Sequence, residues 1–275
     1  MLGLGPRPNS QSQQKKNNSE PVNGYEIFKL ILIGTVHLDP EGRRGLYKII
    51  ENLRPSILTV EISNFSVRYR LSNQEKWLLR LRDLKYKLPE ERRNHPRLKL
   101  LKLQLHTPFE WEVAHKYSKA NNVPCFAIDS GNLARNELPL WKSELLSRKN
   151  LLKITDEPDF DLDNHFRECH SLAKIALTTP NHLPNMHLLT WLSNRFRGKR
   201  EKTLARRIRG IHENGLLNPG PSSRTDIHHV HICGWMHLIT GVPWKTLTDI
   251  LLELTPKRML LTRKENGEPT VERLA

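Results

Sequence analysis

Two short stretches at opposite ends of the chain constrain its fold more than any other feature. The first is Leu30-Ile31-Leu32-Ile33-Gly34-Thr35-Val36-His37, and the second is His231-Ile232-Cys233-Gly234-Trp235-Met236-His237. Each is an apolar, strand-like run followed by Gly, two residues and His. A buried strand that ends in a glycine turn delivers the next side chains to the rim of a sheet. Having the pattern twice suggests a fold that brings His37 and His237 to one place.

The chain between them reads as alternating strands and helices. Ile27 to Ile33 is strand-like, and Asp39-Pro40-Glu41-Gly42 is turn chemistry. Leu46, Ile49, Ile50 and Leu53 then recur at i, i+3, i+4, i+7, one apolar helix face closed by Arg54-Pro55. Ile57 to Val60 is a second strand, with Glu61 at its carboxyl end. Strand, helix, strand in so short a span is a βαβ unit with parallel strands. His37 and Glu61 are therefore expected to leave the carboxyl edge of adjacent strands. Thr107-Pro108-Phe109-Glu110 has the spelling of a capping box, which accounts for Glu110 as a helix cap. That helix should close at Asn121-Asn122, before a strand from Cys125 to Ile128 with Asp129 at its end. Thr190 to Ile211 reads as a basic helix with a Leu204/Ile208/Ile211 stripe, stopped at Asn214-Gly215. The last elements expected are a strand over His229 to Cys233, a helix with Leu247, Ile250, Leu251 and Leu254 on one face, and a hairpin pairing Met259–Leu261 with Thr270-Val271. His229 and His231 alternate onto one face, and a solvated edge is the expected place for His231.

The expected class is α/β: a mixed, largely parallel sheet flanked by helices, with a basic helical insertion at about 65–105. From Lys76 to Lys102 that insertion has ten Lys/Arg against three Asp/Glu. Residues 1–24 are rich in Asn, Gln, Ser, Pro and Gly and read as a disordered tail, leaving 25–275 as a single domain. The acidic run at 155–168 lacks the central Gly of a calcium loop and reads as an exposed loop leading into a helix.

Charge and cysteine content narrow the function classes. Forty-four Lys+Arg against 29 Asp+Glu give a net charge of +15. An acidic partner is thereby permitted: nucleic acid, an anionic surface or a phosphorylated ligand. Aromatic residues make up only 7% of the chain, which argues against base stacking on single strands. Cys125, Cys169 and Cys233 contain no C-x-x-C pair, which excludes a disulfide framework and a cysteine zinc site. No apolar run reaches the ~18 residues of a spanning helix, and no signal-peptide core precedes the first strand. A soluble cytoplasmic protein is the expectation.

Two histidines and a carboxylate at strand ends are the donor set of a catalytic metal site with an open position. His37, Glu61 and His237 are the candidate ligands of a divalent ion such as Zn, Mn or Co. No organic cofactor is indicated. Glu61 has a plain alternative as the partner of an arginine, because a charge at the end of a buried strand needs one. Asp129 is expected either to orient a histidine or to cap the next helix. Arg200 is a candidate for binding a carboxylate or phosphate, or for stabilising an oxyanion.

The motifs in order resemble the TraB/PrgY/TIKI family. The resemblance rests on Gly34-Thr35-Val36-His37, Arg54-Pro55 with Val60-Glu61, Glu110-Trp111-Glu112-Val113-Ala114, the strand ending in Asp129, Arg200-Glu201-Lys202-Thr203-Leu204-Ala205, and Gly234-Trp235-Met236-His237. It spans about residues 27 to 242. It implies a fold related to erythromycin esterases and ChaN-like proteins, with His37, Glu61, Arg200 and His237 meeting in one cleft. TIKI members are described as metal-dependent proteases. The implied function is a metal-dependent hydrolase, peptidase-like, acting on a peptide or small anionic substrate, with Arg200 as oxyanion stabiliser and Glu110 or Asp129 as base or orienter. Two other classes stay open: a nonenzymatic ligand-binding protein on the same fold, and a nucleic-acid-associated protein using helices 76–102 and 190–211. Asp39, where a small residue is usual, and the basic insertion both depart from the family pattern.

Overall fold

A computed structural model describes residues 29–179, 197–217, 228–242, 244–264 and 267–274. The expected tail at 1–24 and the start of the basic helix at 190 lie outside these residues. The protein is α/β. Six strands form one sheet in the order β3-β2-β4-β1-β5-β6. They are β1 (Lys29–Thr35), β2 (Ile57–Val60), β3 (Cys125–Ala127), β4 (His228–Gly234), β5 (Lys257–Arg263) and β6 (Pro269–Leu274). All pairs are parallel except β5 with β6, the closing hairpin.

The helices are α1 (Gly42–Leu53), α2 (Asn64–Tyr86), α3 (Pro96–Leu105), α4 (Phe109–Asn121), α5 (Asn132–Glu137), α6 (Arg148–Thr155), α7 (Leu162–Thr178), α8 (Arg197–Leu217) and α9 (Leu247–Ile250). Both faces of the sheet are covered, as a parallel sheet requires. Strand alternation sorts the core. Leu30, Leu32 and Cys233 face α7 and α8 through Phe166, Ala173, Leu204 and Ile208. Ile31, Ile33, Val230 and Ile232 face α1 and α4 through Leu46, Ile50, Val113 and Ala114. The basic insertion has its own core: Trp77, Leu81, Leu98 and Leu105 pack with Trp141, Leu146 and Leu151. Most of its Lys and Arg side chains between Lys76 and Lys102 lie exposed around that core.

The two Gly-x-x-His stretches are neighbours in space. β1 and β4 pair in parallel, with Gly34 opposite Cys233 and Thr35 opposite Gly234. Both glycines are packing sites. A Cβ on Gly34 would lie 2.9 Å from the Trp235 Cα, and one on Gly234 would lie 2.7 Å from His37 Nε2.

Five local expectations are corrected. β1 and β2 are not adjacent, because β4 inserts between them. The βαβ unit therefore crosses over a strand supplied from the far end of the chain. Thr107 does not cap α4; the N-cap is Pro108, without a side-chain cap, and Thr107 is bonded to Gln74 instead. α8 runs through Asn214-Gly215 to Leu217. The final helix is only four residues long, its Leu252–Leu254 portion being a separate 3-10 turn. His231 is fully buried, as is His229, because their strand is central and both faces are covered.

Candidate active site

The carboxyl ends of β1, β2, β3 and β4, the first turn of α4 and the N-terminal half of α8 bring seven ionisable side chains together. Glu110, from the first turn of α4, lies 2.7 Å from His37 Nδ1 through its Oε1. The same oxygen accepts a hydrogen bond of 2.9 Å from the Thr35 hydroxyl. The Thr35 hydroxyl thus helps hold this oxygen on the histidine, and the predicted role of Glu110 as a helix cap is overturned. Its buried carboxylate needs these partners because water no longer supplies them.

Glu61 is the hub. Its Oε1 lies 2.8 Å from His237 Nε2 and 2.7 Å from an Arg200 nitrogen. Its Oε2 accepts the Gly234 backbone N–H at 2.9 Å. His37 Nε2 sits against the same Gly234. One glycine therefore ties the two histidine motifs to the carboxylate. Arg200 also grips Asp129, with Nη2 to Oδ2 at 2.9 Å and Nε to Oδ1 at 3.3 Å, a forked pair. Asp129 neither orients a histidine nor caps α5, whose N-cap is Gly131. It anchors Arg200.

Glu201 completes the network and is not among the sequence candidates. Its carboxylate lies 2.7 Å from His237 Nδ1. Its signal is nevertheless present: Glu201, Leu204, Ala205 and Ile208 follow i, i+3, i+4, i+7, and all four are buried. An acid on the apolar stripe of an otherwise basic helix is an acid with a buried cation to meet.

The charge states follow from these contacts. Burial opposes the charged form of His237, but Glu61 and Glu201 outweigh it and raise its pKa to about 10. Burial likewise opposes ionisation of Glu61, yet His237 and Arg200 hold it well below the usual carboxylate range. For His37, desolvation is again the largest influence and lowers the pKa; Glu110, by charge and hydrogen bond, reverses it and the net shift is upward. His37 is ringed by protein atoms, yet 57% of its side-chain surface is open. His237 is 11% exposed. The first histidine is the accessible one and the second is a buried cation.

These side chains line a cavity of about 560 Å³ between the sheet edge and the helical insertion. Its wall includes His37, Glu61, Glu110, Asp129 and Arg200 from the network, and Arg70, Phe109, Leu138 and Trp141 from the helices. Among the described residues, no three His, Cys, Asp or Glu side chains are preset as a coordination sphere. Both ring nitrogens of His237 are engaged by carboxylates, and Glu61 carries a guanidinium on the oxygen nearest it. The donor chemistry nonetheless suits a divalent ion, since each histidine has its Nδ1 held by a carboxylate, the usual outer support of a metal-binding imidazole.

Beyond the cavity, two further arginines of α8 are engaged within the protein, while Lys199, Lys202 and Arg206 are exposed. Arg207 donates to the carbonyls of Ile128 and Asp129, and Arg209 to Glu253 and the Ile250 carbonyl. No helix among the described residues is long and apolar enough to cross a membrane. Comparison with known proteins finds no matching family model, curated protein or solved structure.

Proposed function

We propose that the cavity is the active site of a hydrolase in which His37, oriented by Glu110, moves the proton of the attacking water. The carrying observation is the Thr35–Glu110–His37 chain: one oxygen of a buried carboxylate accepts from the Thr35 hydroxyl and holds Nδ1 of a solvent-accessible imidazole. That is the base-and-orienter geometry of general acid–base catalysis, which contributes typically ~10²–10⁴-fold. Arg200, 36% exposed and fixed by Asp129 and Glu61, supplies positive charge where an oxyanion develops. His237 and Glu201 keep Glu61 ionised and in place. The resemblance of the motifs, in order, to the TraB/PrgY/TIKI family supports a hydrolase, and the strand-end positions of the side chains support an active site at this edge.

A second reading is favoured by the carboxylate behind each histidine. His37 and His237, through Nε2, and Glu61 would hold a Zn, Mn or Co ion once His237 gives up its Nε2 proton. A bound divalent ion lowers the pKa of its water towards neutrality and polarises the scissile carbonyl or phosphoryl oxygen. In this reading Glu110 and Glu201 orient the imidazoles, and Arg200 keeps its role.

Turnover of a panel of chromogenic esters and fluorogenic peptides tests the proposal. Activity in the wild type that falls at least a hundredfold in His37→Ala supports it. Activity undiminished in His37→Ala, or no turnover across the panel with and without added metal, overturns it. Calorimetric titration with Zn, Mn and Co separates the two readings. Stoichiometric binding lost in His237→Ala favours the metal; turnover that survives exhaustive chelation favours the metal-free base.

A further inference from the structure

We infer that the helical insertion gives this cavity an anion subsite, in which Arg70 is the cation and a carboxylate or phosphoryl group of the ligand is its counter-ion. The inference deepens the reading of the cavity as an active site by naming a chemical class for its substrate.

Arg70 projects from α2 and lines the same cavity as His37 and Arg200. The other two arginines of the wall already have carboxylates: Arg43 meets Glu112, and Arg200 meets Glu61 and Asp129. Among the described residues no carboxylate lies within 4.0 Å of Arg70. Its guanidinium is nevertheless held firmly. Nε donates to Ser66 Oγ at 3.2 Å, and Nη1 donates to the carbonyls of Gln104 at 2.7 Å and His106 at 2.9 Å. The group lies 4.6 Å over the Trp141 ring. Nη2 has no protein partner among the described residues.

The two carbonyls belong to the C-terminal end of α3 and carry only partial negative charge. They fix the fork without neutralising it. Burial pulls the Arg70 pKa down to about 10, which leaves it cationic at neutral pH. A partly desolvated cation without a counter-ion is costly, and Nη2, held in place by the bonds of Nε and Nη1, is the nitrogen left to donate to a carboxylate or phosphoryl oxygen. The same wall offers Phe109, Leu133 and Leu138 as apolar surface, alongside the polar Thr107 and Glu137. The fitting ligand therefore has an anionic group at one end, an apolar body, and a hydrolysable bond within reach of His37. This gives the insertion a role that its surface charge alone does not.

Titration of the wild type and of His37→Ala with inorganic phosphate and with glutarate, following the Arg70 Nε–H resonance, tests the subsite. The expected result is a saturable shift in both proteins with at least one of the two anions, and at least tenfold weaker binding in Arg70→Met with its circular dichroism unchanged. Saturation by phosphate alone assigns a phosphoryl ligand, and by glutarate alone a carboxylate. No saturable shift of this resonance in the wild type overturns the inference, as does wild-type affinity in Arg70→Met. If Arg70→Met does not fold, the wild-type resonance decides alone. Because His37→Ala is used for binding, failure of the hydrolase reading would leave this result untouched.

Discussion

His237 Nε2 lies 2.8 Å from Glu61 Oε1 while its Nδ1 lies 2.7 Å from Glu201. One imidazole thus joins the carboxyl end of β2 to the interior face of α8, and both of its nitrogens are committed to carboxylates. The arrangement makes His237 a buried imidazolium and Glu61 a buried anion, each held in that state by the other. Removing one member leaves an uncompensated charge, the situation in which buried pairs matter most.

Glu201→Gln should therefore lower the His237 pKa from about 10 by more than one unit. It should also cost about 3 kcal/mol of stability, the order seen when one partner of a buried pair is removed. Histidine NMR titration reads the first quantity and urea unfolding the second. An unshifted His237 would show that Glu61 alone holds its proton.

Acid stability should be limited by the two neutral histidines beneath the site. Thr59 Oγ1 bridges His229 Nε2 at 2.9 Å and His231 Nδ1 at 3.0 Å. Burial pushes His229 well below its ordinary pKa and His231 down to about 3. An unfolded histidine titrates near ~6.5. Below that value the unfolded chain binds more protons, so stability falls as pH drops from about 6.5 towards 3. His231 alone should contribute a loss of about 2 kcal/mol between pH 6.5 and 5, at ~1.36 kcal/mol per pH unit. His237 has the opposite sign: its contribution is complete below about 6.5 and is lost as pH rises through about 10. Urea unfolding of the wild type and of His231→Leu, at pH 6.5 and pH 5, should show a shallower pH dependence in the variant. Equal slopes would contradict the neutral assignment.

Asp39 should be a positioning residue for His37. It is buried two residues after the histidine, past Leu38 at φ +64°. Its carboxylate meets His170 Nε2 at 2.8 Å and Arg263, which reaches across from the end of β5. These partners outweigh the effect of burial and hold its pKa below the ordinary value. Asp39→Ala should cost about 3 kcal/mol by leaving the buried Arg263 with only the exposed Asp163 as its carboxylate partner. Asp39→Asn, which keeps the shape, should fold better and still lower kcat more than it raises KM, because the loop holding His37 loosens. A variant with normal stability and normal kcat would reduce Asp39 to an ordinary loop contact.

Much of this architecture is legible in the sequence because strand ends, glycine turns and amphipathic faces are local patterns. The 3.6-residue spacing of Leu46, Ile49 and Ile50 marks α1, and the alternation of Leu30 to Ile33 serves two buried faces at once. What is not legible is non-local. The insertion of β4 between β1 and β2 depends on a strand some 170 residues downstream, and no local spacing encodes it. Glu110 has the spelling of a cap, but the His37 imidazole, far away in sequence, outcompetes the backbone for its carboxylate. Glu201 hides among eight basic neighbours unless its position on the apolar stripe is weighed above the charge of the helix. Arg70 looks like one more cation of a basic helix, and only the distribution of carboxylates in space sets it apart.

The central claim is that Glu110 acts through His37 in a hydrolytic step, and a double-mutant cycle on kcat/KM tests it most directly. With an ester or peptide turned over by the wild type, His37→Ala and Glu110→Gln should each reduce kcat/KM by ~10²-fold or more. The account predicts that the double variant is about as slow as His37→Ala alone, since an orienter has nothing to orient once the imidazole is gone. Fully additive losses, or a Glu110→Gln variant as fast as wild type, would contradict it.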